Sequence, residues 1–276
     1  MIESNFVDFH RNFYRFLLKT DMSLHERSRH GHLVSQLKAK SQPAVWNSVN
    51  SDRDTLSPHL KFLRHNGYLP LNISSSSDLI NEVSSLPSQG FGSSTDGTHF
   101  ETEYLHNVSS LPSVRRLYND PHLYSLASLY LGAPAFLYEC EAWWQYPQGD
   151  SHKPSNAQLW HRDRDDFNEL KLFFYVTDVD PECGPHAYIP HSHHSSCLSL
   201  AFGDVDHPLV SGLTSSFIDD DVLSQLGLLV SPKVWLGKAG TCFFEDPCGY
   251  HRAYLPTTKP RLMLSLVWTV GPGFNH

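Results

Sequence analysis

The sequence predicts a mainly β fold with flanking helices, an antiparallel jelly roll, and three observations lead there. From Phe136 onward, apolar and aromatic residues fall in short runs broken by Gly, Pro, Asn and Asp, the pattern of strands joined by turns. Those runs do not alternate with helical segments, which argues for antiparallel sheets folded on themselves and against a parallel sheet with crossover helices. Apolar spacing of three and four residues is concentrated before Phe136.

Taken in order, Phe6, Phe9, Phe13, Phe16 and Leu17 recur at helical steps and predict an amphipathic helix packed outside the main domain. Residues 41–58 are polar and rich in turn formers, which predicts a loop. Asn66-Gly67-Tyr68, within 60–71, marks a helix end followed by a short strand. Ser77-Asp78 caps a helix over 79–86, closed by Pro87. Residues 88–99 carry Gly90, Gly92 and Gly97 among polar residues and read as a flexible loop, at an active-site mouth or elsewhere on the surface. A helical pattern over 112–131 ends at Gly132 and Pro134. Strands are expected at 137–146, 158–163, 170–177, 186–190, 234–236, 241–244 and 261–270. Residues 194–232 form a long insertion in which Asp219, Asp220 and Asp221 cap a short helix over 222–226; a loop of this length in a compact domain is expected to work as a lid. The expected organisation is one domain over 1–276: a helical extension (1–58), a helical buttress (59–134) and a β core (135–276) that includes the 194–232 insertion.

Composition bounds the partners. A net charge of −8 over 276 residues disfavours nucleic acid and anionic membrane surfaces. No apolar run reaches the roughly 18 residues a spanning helix needs, and the first residues lack a secretory signal. The five cysteines, Cys140, Cys183, Cys197, Cys242 and Cys248, are odd in number and follow no tight spacing, as expected of reduced thiols in a cytoplasmic protein. The last residues, Phe274-Asn275-His276, are no peroxisomal address.

The chemistry concentrates in Trp160-His161-Arg162-Asp163. In extended backbone, residues i and i+2 face the same way, so His161 and Asp163 offer an imidazole and a carboxylate to one point while Arg162 turns away. Asp165 shares that face and is an alternative carboxylate. A second imidazole, His251, ninety residues later, would complete the two-His, one-carboxylate face of a non-haem Fe(II) oxygenase, which leaves positions open for cosubstrate and dioxygen. Arg261, ten residues on, has the planar fork that suits a carboxylate; Arg162, Arg252 and Lys259 compete for that role.

Around this core the order is W-H-x-D, then the strand Leu170-Lys171-Leu172-Phe173-Phe174-Tyr175-Val176, Thr177-Asp178-Val179-Asp180, Gly184-Pro185, and Ile189-Pro190-His191-Ser192-His193. Gly240-Thr241-Cys242-Phe243-Phe244, Gly249-Tyr250-His251-Arg252 and Lys259-Pro260-Arg261 follow. Over residues 135–272 this order resembles the phytanoyl-CoA dioxygenase family of 2-oxoglutarate-dependent oxygenases. The resemblance implies a double-stranded β-helix of cupin-like form with helices buttressing one sheet. It implies Fe(II) held by His161, Asp163 and His251, with the direct i, i+2 spacing selecting Asp163. It further implies 2-oxoglutarate as cosubstrate with its distal carboxylate on Arg261, and O2 as oxidant. Phe173 is the position where the family often has an aromatic beside the cosubstrate.

Two departures stand out: His191 replaces a Gly of the family's turn, and Met263 stands where many relatives have a hydroxyl, with Ser265 further along. Lys171, amid apolar residues, is either a charge partner for a cosubstrate or substrate carboxylate or an outer-face lysine reaching water along its stem. The histidines His186, His191, His193 and His194 read as turn residues and neighbours of the ligands. Trp143, Trp144, Gln145 and Tyr146 precede the metal strand, and one alternating face of them should line the substrate pocket. The expected activity is oxidation of a small molecule, and 21 basic residues in an acidic chain argue against an acyl-CoA. The alternative is a metal-binding jelly roll without oxygenase activity, a cupin-like isomerase or a ligand-binding protein.

Overall fold

The structure, a computed structural model, describes residues 24–73, 76–93, 99–147, 156–163, 166–194, 217–225, 227–228 and 231–270. The expected helix around Phe6–Leu17, most of the 194–232 insertion, Cys197 and Asp165 lie outside these residues.

Among the described residues three helices come first: α1 (Leu24–Ser41), α2 (Pro43–Ser51) and α3 (Arg53–Asn66). The loop expected over 41–58 is therefore corrected to helix. Its polar residues are the exposed faces, while Val49, Leu56, Leu60 and Leu63 are buried in the main core. Burial of that stripe outweighs poor intrinsic propensity, including Pro58 within α3. Gly67 ends α3 in the left-handed region (φ +81°), as the Asn66-Gly67-Tyr68 signal requires, and β1 (Tyr68–Leu71) follows. All four terminal carbonyls of α3 are used. Leu63 accepts from the Gly67 amide (2.7 Å) and Asn66 from the His191 amide (3.2 Å). His65 O lies 2.6 Å from His191 Nδ1, and Arg64 O lies 2.9 Å from His193 Nε2. His191 takes a positive φ of 68° where the family pattern has Gly. These two hydrogen bonds to the helix end offset the strain of a side chain there.

A Cβ at Gly67 would overlap the Tyr188 hydroxyl and sit 2.6 Å from His193 Nδ1. Gly67→Ala is expected to destabilise the protein by about 1–3 kcal/mol. The check is a lower urea midpoint with an unchanged slope.

Next come α4 (Ser76–Ser84), β2 (Ser88–Ser93), β3 (His99–Leu105), α5 (Pro112–Tyr118) and α6 (Pro121–Leu131). The loop expected at 88–99 is corrected: β2 and β3 pair antiparallel, and one of two register shifts falls between Ser88 and Gly90, whose φ is +105°. Main-chain pairing needs no apolar alternation, and a Gly at a bulge is a device of strands as well as of loops. The single helical pattern over 112–131 divides because Asp120 caps α6, accepting from the amides of His122 (2.9 Å) and Leu123 (3.0 Å).

The β core comprises β4 (Phe136–Gln145), β5 (Trp160–His161), β6 (Glu169–Tyr175), β7 (His186–Tyr188), β8 (Phe217–Ile218), α7 (Asp220–Gln225), β9 (Lys233–Val234), β10 (Cys242–Glu245), β11 (His251–Ala253) and β12 (Arg261–Thr269). Among the described residues, a seven-stranded sheet has the order β1-β10-β6-β12-β4-β3-β2, and a five-stranded sheet the order β8-β5-β11-β7-β9. Every described ladder is antiparallel. This is the jelly roll expected from the strand pattern.

The large sheet has two buried faces. Leu170, Leu172, Phe174, Val176, Leu262, Leu264, Leu266 and Trp268 pack outward on the helices. Phe173, Tyr175, Phe243 and Met263 point inward, with Trp235, toward the small sheet. The helices thus buttress one sheet and leave the inter-sheet space to the site.

Candidate metal centre

His161 ends β5 and His251 begins β11, and the two stand directly opposite in the antiparallel register. Their side chains share a face, with ring centroids 4.2 Å apart. Asp163 lies two residues beyond the end of β5, so sheet pleating alone does not place it. Its amide donates to Pro247 O (3.0 Å), in the turn leading to β11, and that bond carries the extended path past the strand end. Asp163 Oδ1 lies 3.5 Å from His161 Nε2, and Oδ2 3.5 Å from His251 Nε2. One donor atom from each of the three residues falls within a 4.8 Å group, which among the described residues could hold a metal ion.

The tautomers are set by the backbone. His161 Nδ1 is 2.9 Å from Leu159 O, and His251 Nδ1 is 3.0 Å from Gly249 O. A carbonyl only accepts, so each Nδ1 carries a proton, and each ring when neutral offers its Nε2 lone pair to the common point. Burial, and then His251, push His161 down to about 3, which keeps it neutral. Burial opposes the charge on Asp163, but Lys171 and His251 outweigh it and hold the carboxyl well below its usual range. Burial likewise opposes a charge on His251, but Asp163 outweighs it and raises this group. A divalent ion would displace that proton on binding.

Lys171 is on the inner face of β6, with its Nζ 2.5 Å from Asp163 Oδ2. The outer-face alternative is thereby corrected. The apolar neighbours Leu170 and Leu172 belong to the opposite, helix-packed face, and the ammonium is matched by the Asp163 carboxylate. Phe173 lies one pleat away, its ring 4.7 Å from His186 and 5.5 Å from Phe243.

Arg261, at the start of β12, is 1% exposed and reaches into the interior. It donates from Nη1 to Gly184 O and from Nη2 to Gln145 Oε1 (2.5 Å). Its buried Nε has no hydrogen-bond partner. Both partners are neutral, so this buried guanidinium has no carboxylate counter-ion among the described residues. The competing cations make other contacts, although buried Arg162 Nε and Nη1 and Arg252 Nε, like Arg261 Nε, have no hydrogen-bond partner. Arg162 donates to Ser192 O (2.7 Å) and lies over Tyr250 (4.0 Å). Arg252 pairs with Asp220 (3.0 Å) and lies over Trp160 and Tyr254. Lys259 pairs with Asp180 (2.6 Å) and Glu182 (2.8 Å) on the surface.

The four-residue substrate stretch divides by face. Trp143 and Gln145 stand opposite Met263 and Arg261 and face inward. Trp144 packs with the helix-side core, and Tyr146 stacks on it at 6.1 Å and donates to Glu103 (2.5 Å). The described end of the 194–232 insertion borders the site: Phe217 pairs with His161 in the ladder, and its ring stacks on the imidazole at 5.9 Å. Met263 joins the inner cluster, and Ser265 stands opposite Phe173 and Glu141.

One buried pair escaped the sequence reading. Glu245, 0% exposed at the end of β10, has both carboxylate oxygens 2.9 Å from His186 Nε2. Burial pushes Glu245 up to about 8 and holds His186 well below its usual value, so both favour their neutral forms. The available signal was a Glu on the same alternating face as Phe243.

No family model matches the sequence, and no curated protein sequence matches it. Among solved structures, the epimerase SnoN in complex with Fe3+, alpha ketoglutarate and nogalamycin RO aligns with a TM-score of 0.55 at 19% identity, over 81% of this chain and 92% of SnoN. A second structure of SnoN, a non-heme alpha ketoglutarate dependent epimerase from nogalamycin biosynthesis, gives 0.55 at 20% over 82% and 92%. EctD from S. alaskensis, with 2-oxoglutarate and 5-hydroxyectoine, gives 0.50 at 17% over 77% and 75%. At such identities the likeness establishes a shared fold.

Proposed function

We propose that this chain is an Fe(II)- and 2-oxoglutarate-dependent oxygenase that oxidises a small molecule, of the phytanoyl-CoA dioxygenase type. The observation that carries the reading is the convergence of His161 Nε2, His251 Nε2 and the Asp163 carboxylate within 4.8 Å, in tautomers that leave both lone pairs available. The donor set fits iron, and the buried, counter-ion-free guanidinium of Arg261 fits a dicarboxylic cosubstrate. SnoN and EctD, which share the fold, were crystallised with alpha ketoglutarate and with 2-oxoglutarate, respectively.

In this reading His161, Asp163 and His251 would hold the metal. Bound iron, 2-oxoglutarate and O2 would together supply the oxidising power that removes hydrogen from the substrate. Lys171, bonded to Asp163 Oδ2, would hold the orientation of this carboxylate and leave Oδ1 the oxygen not bonded to the ammonium. Arg261 fixes the far carboxylate of the cosubstrate, with Gly184 O and Gln145 setting the plane of its fork. Phe173, Met263 and Phe243 keep water from the space between. An acyl-CoA is disfavoured, because its phosphates would meet an acidic chain of net charge −8. A cytoplasmic setting accords with free thiols at Cys140, Cys183 and Cys242. The inactive jelly-roll alternative would call for a broken ligand set or a missing Arg, and this chain has neither.

The test is anaerobic addition of Fe(II) and 2-oxoglutarate, followed by air. A visible charge-transfer band should appear before air, and succinate should form after it. A protein that binds iron but gives neither band nor succinate would overturn the reading.

A further inference from the structure

The inner face of β4 carries Glu139, Glu141, Trp143 and Gln145, opposite Val267, Ser265, Met263 and Arg261. Gln145 is spent on Arg261. Glu141 is different: it is half-buried and, among the described residues, has no hydrogen-bond or ion-pair partner. Burial raises its carboxyl while nearby Lys171 lowers it. Lys171 makes its ion pair with Asp163 at 2.5 Å, so Glu141, on the metal side of the barrel, feels that ammonium only at a distance and pairs with no cation directly. Two residues along the same face is Trp143, and opposite Trp143 on β3 is Tyr104, with ring centroids 6.2 Å apart at 44°. Both rings are half-buried.

A carboxylate partly withdrawn from water and left unpaired is costly, and a cation is what relieves it. The faces of Trp and Tyr attract the same kind of group. A neutral or anionic substrate would leave Glu141 unsatisfied or repel it. The net charge of −8 adds a field that draws cations toward the protein.

We propose that Glu141, Tyr104 and Trp143 form a recognition wall for a substrate bearing a cationic nitrogen, an amine or ammonium group held beside the metal centre. This substrate class rests on the oxygenase reading; recognition of the cation does not depend on turnover.

The experiment uses three probes of one shape, benzylamine, benzyl alcohol and benzoate, titrated at neutral pH into the purified full chain by ligand-observed NMR. It is run with the metal-free protein and again anaerobically with Fe(II) and 2-oxoglutarate. A charge-assisted contact predicts that benzylamine binds about tenfold more tightly than benzyl alcohol. Benzoate should bind worst, and tetramethylammonium should displace the amine. In Glu141→Gln the preference for the amine should vanish, and in Glu141→Asp it should partly return. Equal binding of amine and alcohol by the native chain, or an unchanged preference in Glu141→Gln, would overturn the proposal. The native-chain result decides even if a variant fails to fold. Loss of 2-oxoglutarate binding with the amine preference intact would remove the oxygenase reading and leave the wall standing.

Discussion

Asp163→Ala abolishes Fe(II) binding, and His161→Ala and His251→Ala weaken it by more than about 100-fold; these are the largest effects expected at the site. The scale comes from outer-shell partners of metal ligands, whose loss typically weakens binding by about 10–100-fold, so a direct ligand must cost more. Asp163 should be the worst of the three for a reason specific to this chain. Its removal leaves the Lys171 ammonium, only 13% exposed, without its 2.5 Å partner and next to the incoming dication. Breaking such a pair from one side is destabilising by itself, by about 3–5 kcal/mol when fully buried and less here, where some solvent reaches both groups. The double variant Asp163→Ala/Lys171→Met separates the two effects. It should recover thermal stability and still fail to bind iron in a calorimetric titration. If Asp163→Ala bound iron normally and Asp165→Ala did not, the carboxylate would be misassigned by one pleat.

The candidate metal face was legible because its first half is local. His161 and Asp163 are two residues apart, and a spacing of two reports a shared side of extended backbone whether the path is a strand or, as at Asp163, a segment pinned by the Pro247 carbonyl. His251 was legible through the order of motifs around it, since β11 is three residues long and shows no alternation of its own. Lys171 was ambiguous because β6 is apolar on both faces: Leu170 and Leu172 meet helices while Phe173 and Tyr175 meet the other sheet. Only the β6–β12 and β6–β10 registers decide which side is which.

Glu141 and Tyr104 were not legible at all. Their proximity depends on the pairing of β3 with β4, and β3 follows a glycine-rich segment that reads as loop. The helices over 43–66 were missed for the opposite reason. Polar composition describes their exposed faces, whereas their existence depends on Val49, Leu56, Leu60 and Leu63 finding a core. Polarity reports exposure well and backbone state poorly.

Arg261→Ala should raise the 2-oxoglutarate requirement by about 30-fold or more, the lower end of the 2–5 kcal/mol lost when one partner of a buried, hydrogen-bonded charge pair is truncated. The structure adds a second cost. Arg261 donates to Gly184 O and Gln145, so alanine also leaves buried acceptors unpaired, at about 1–3 kcal/mol for such a group. A lowered melting temperature alone therefore would not identify the cosubstrate role. Two comparisons do. Arg261→Lys keeps a charge but loses the fork, so it should restore affinity only in part. More sharply, 2-oxopentanoate has the chain length of 2-oxoglutarate without its distal carboxylate. The native protein should prefer 2-oxoglutarate by the full factor, and Arg261→Ala should bind the two alike, because the residue that tells them apart is gone. Iron affinity, measured without any 2-oxo acid, serves as the control and should change far less. If the preference for 2-oxoglutarate survived in Arg261→Ala and disappeared in Arg252→Ala, the distal carboxylate would belong to the other arginine, and the Asp220 pair seen here would have to open to receive it.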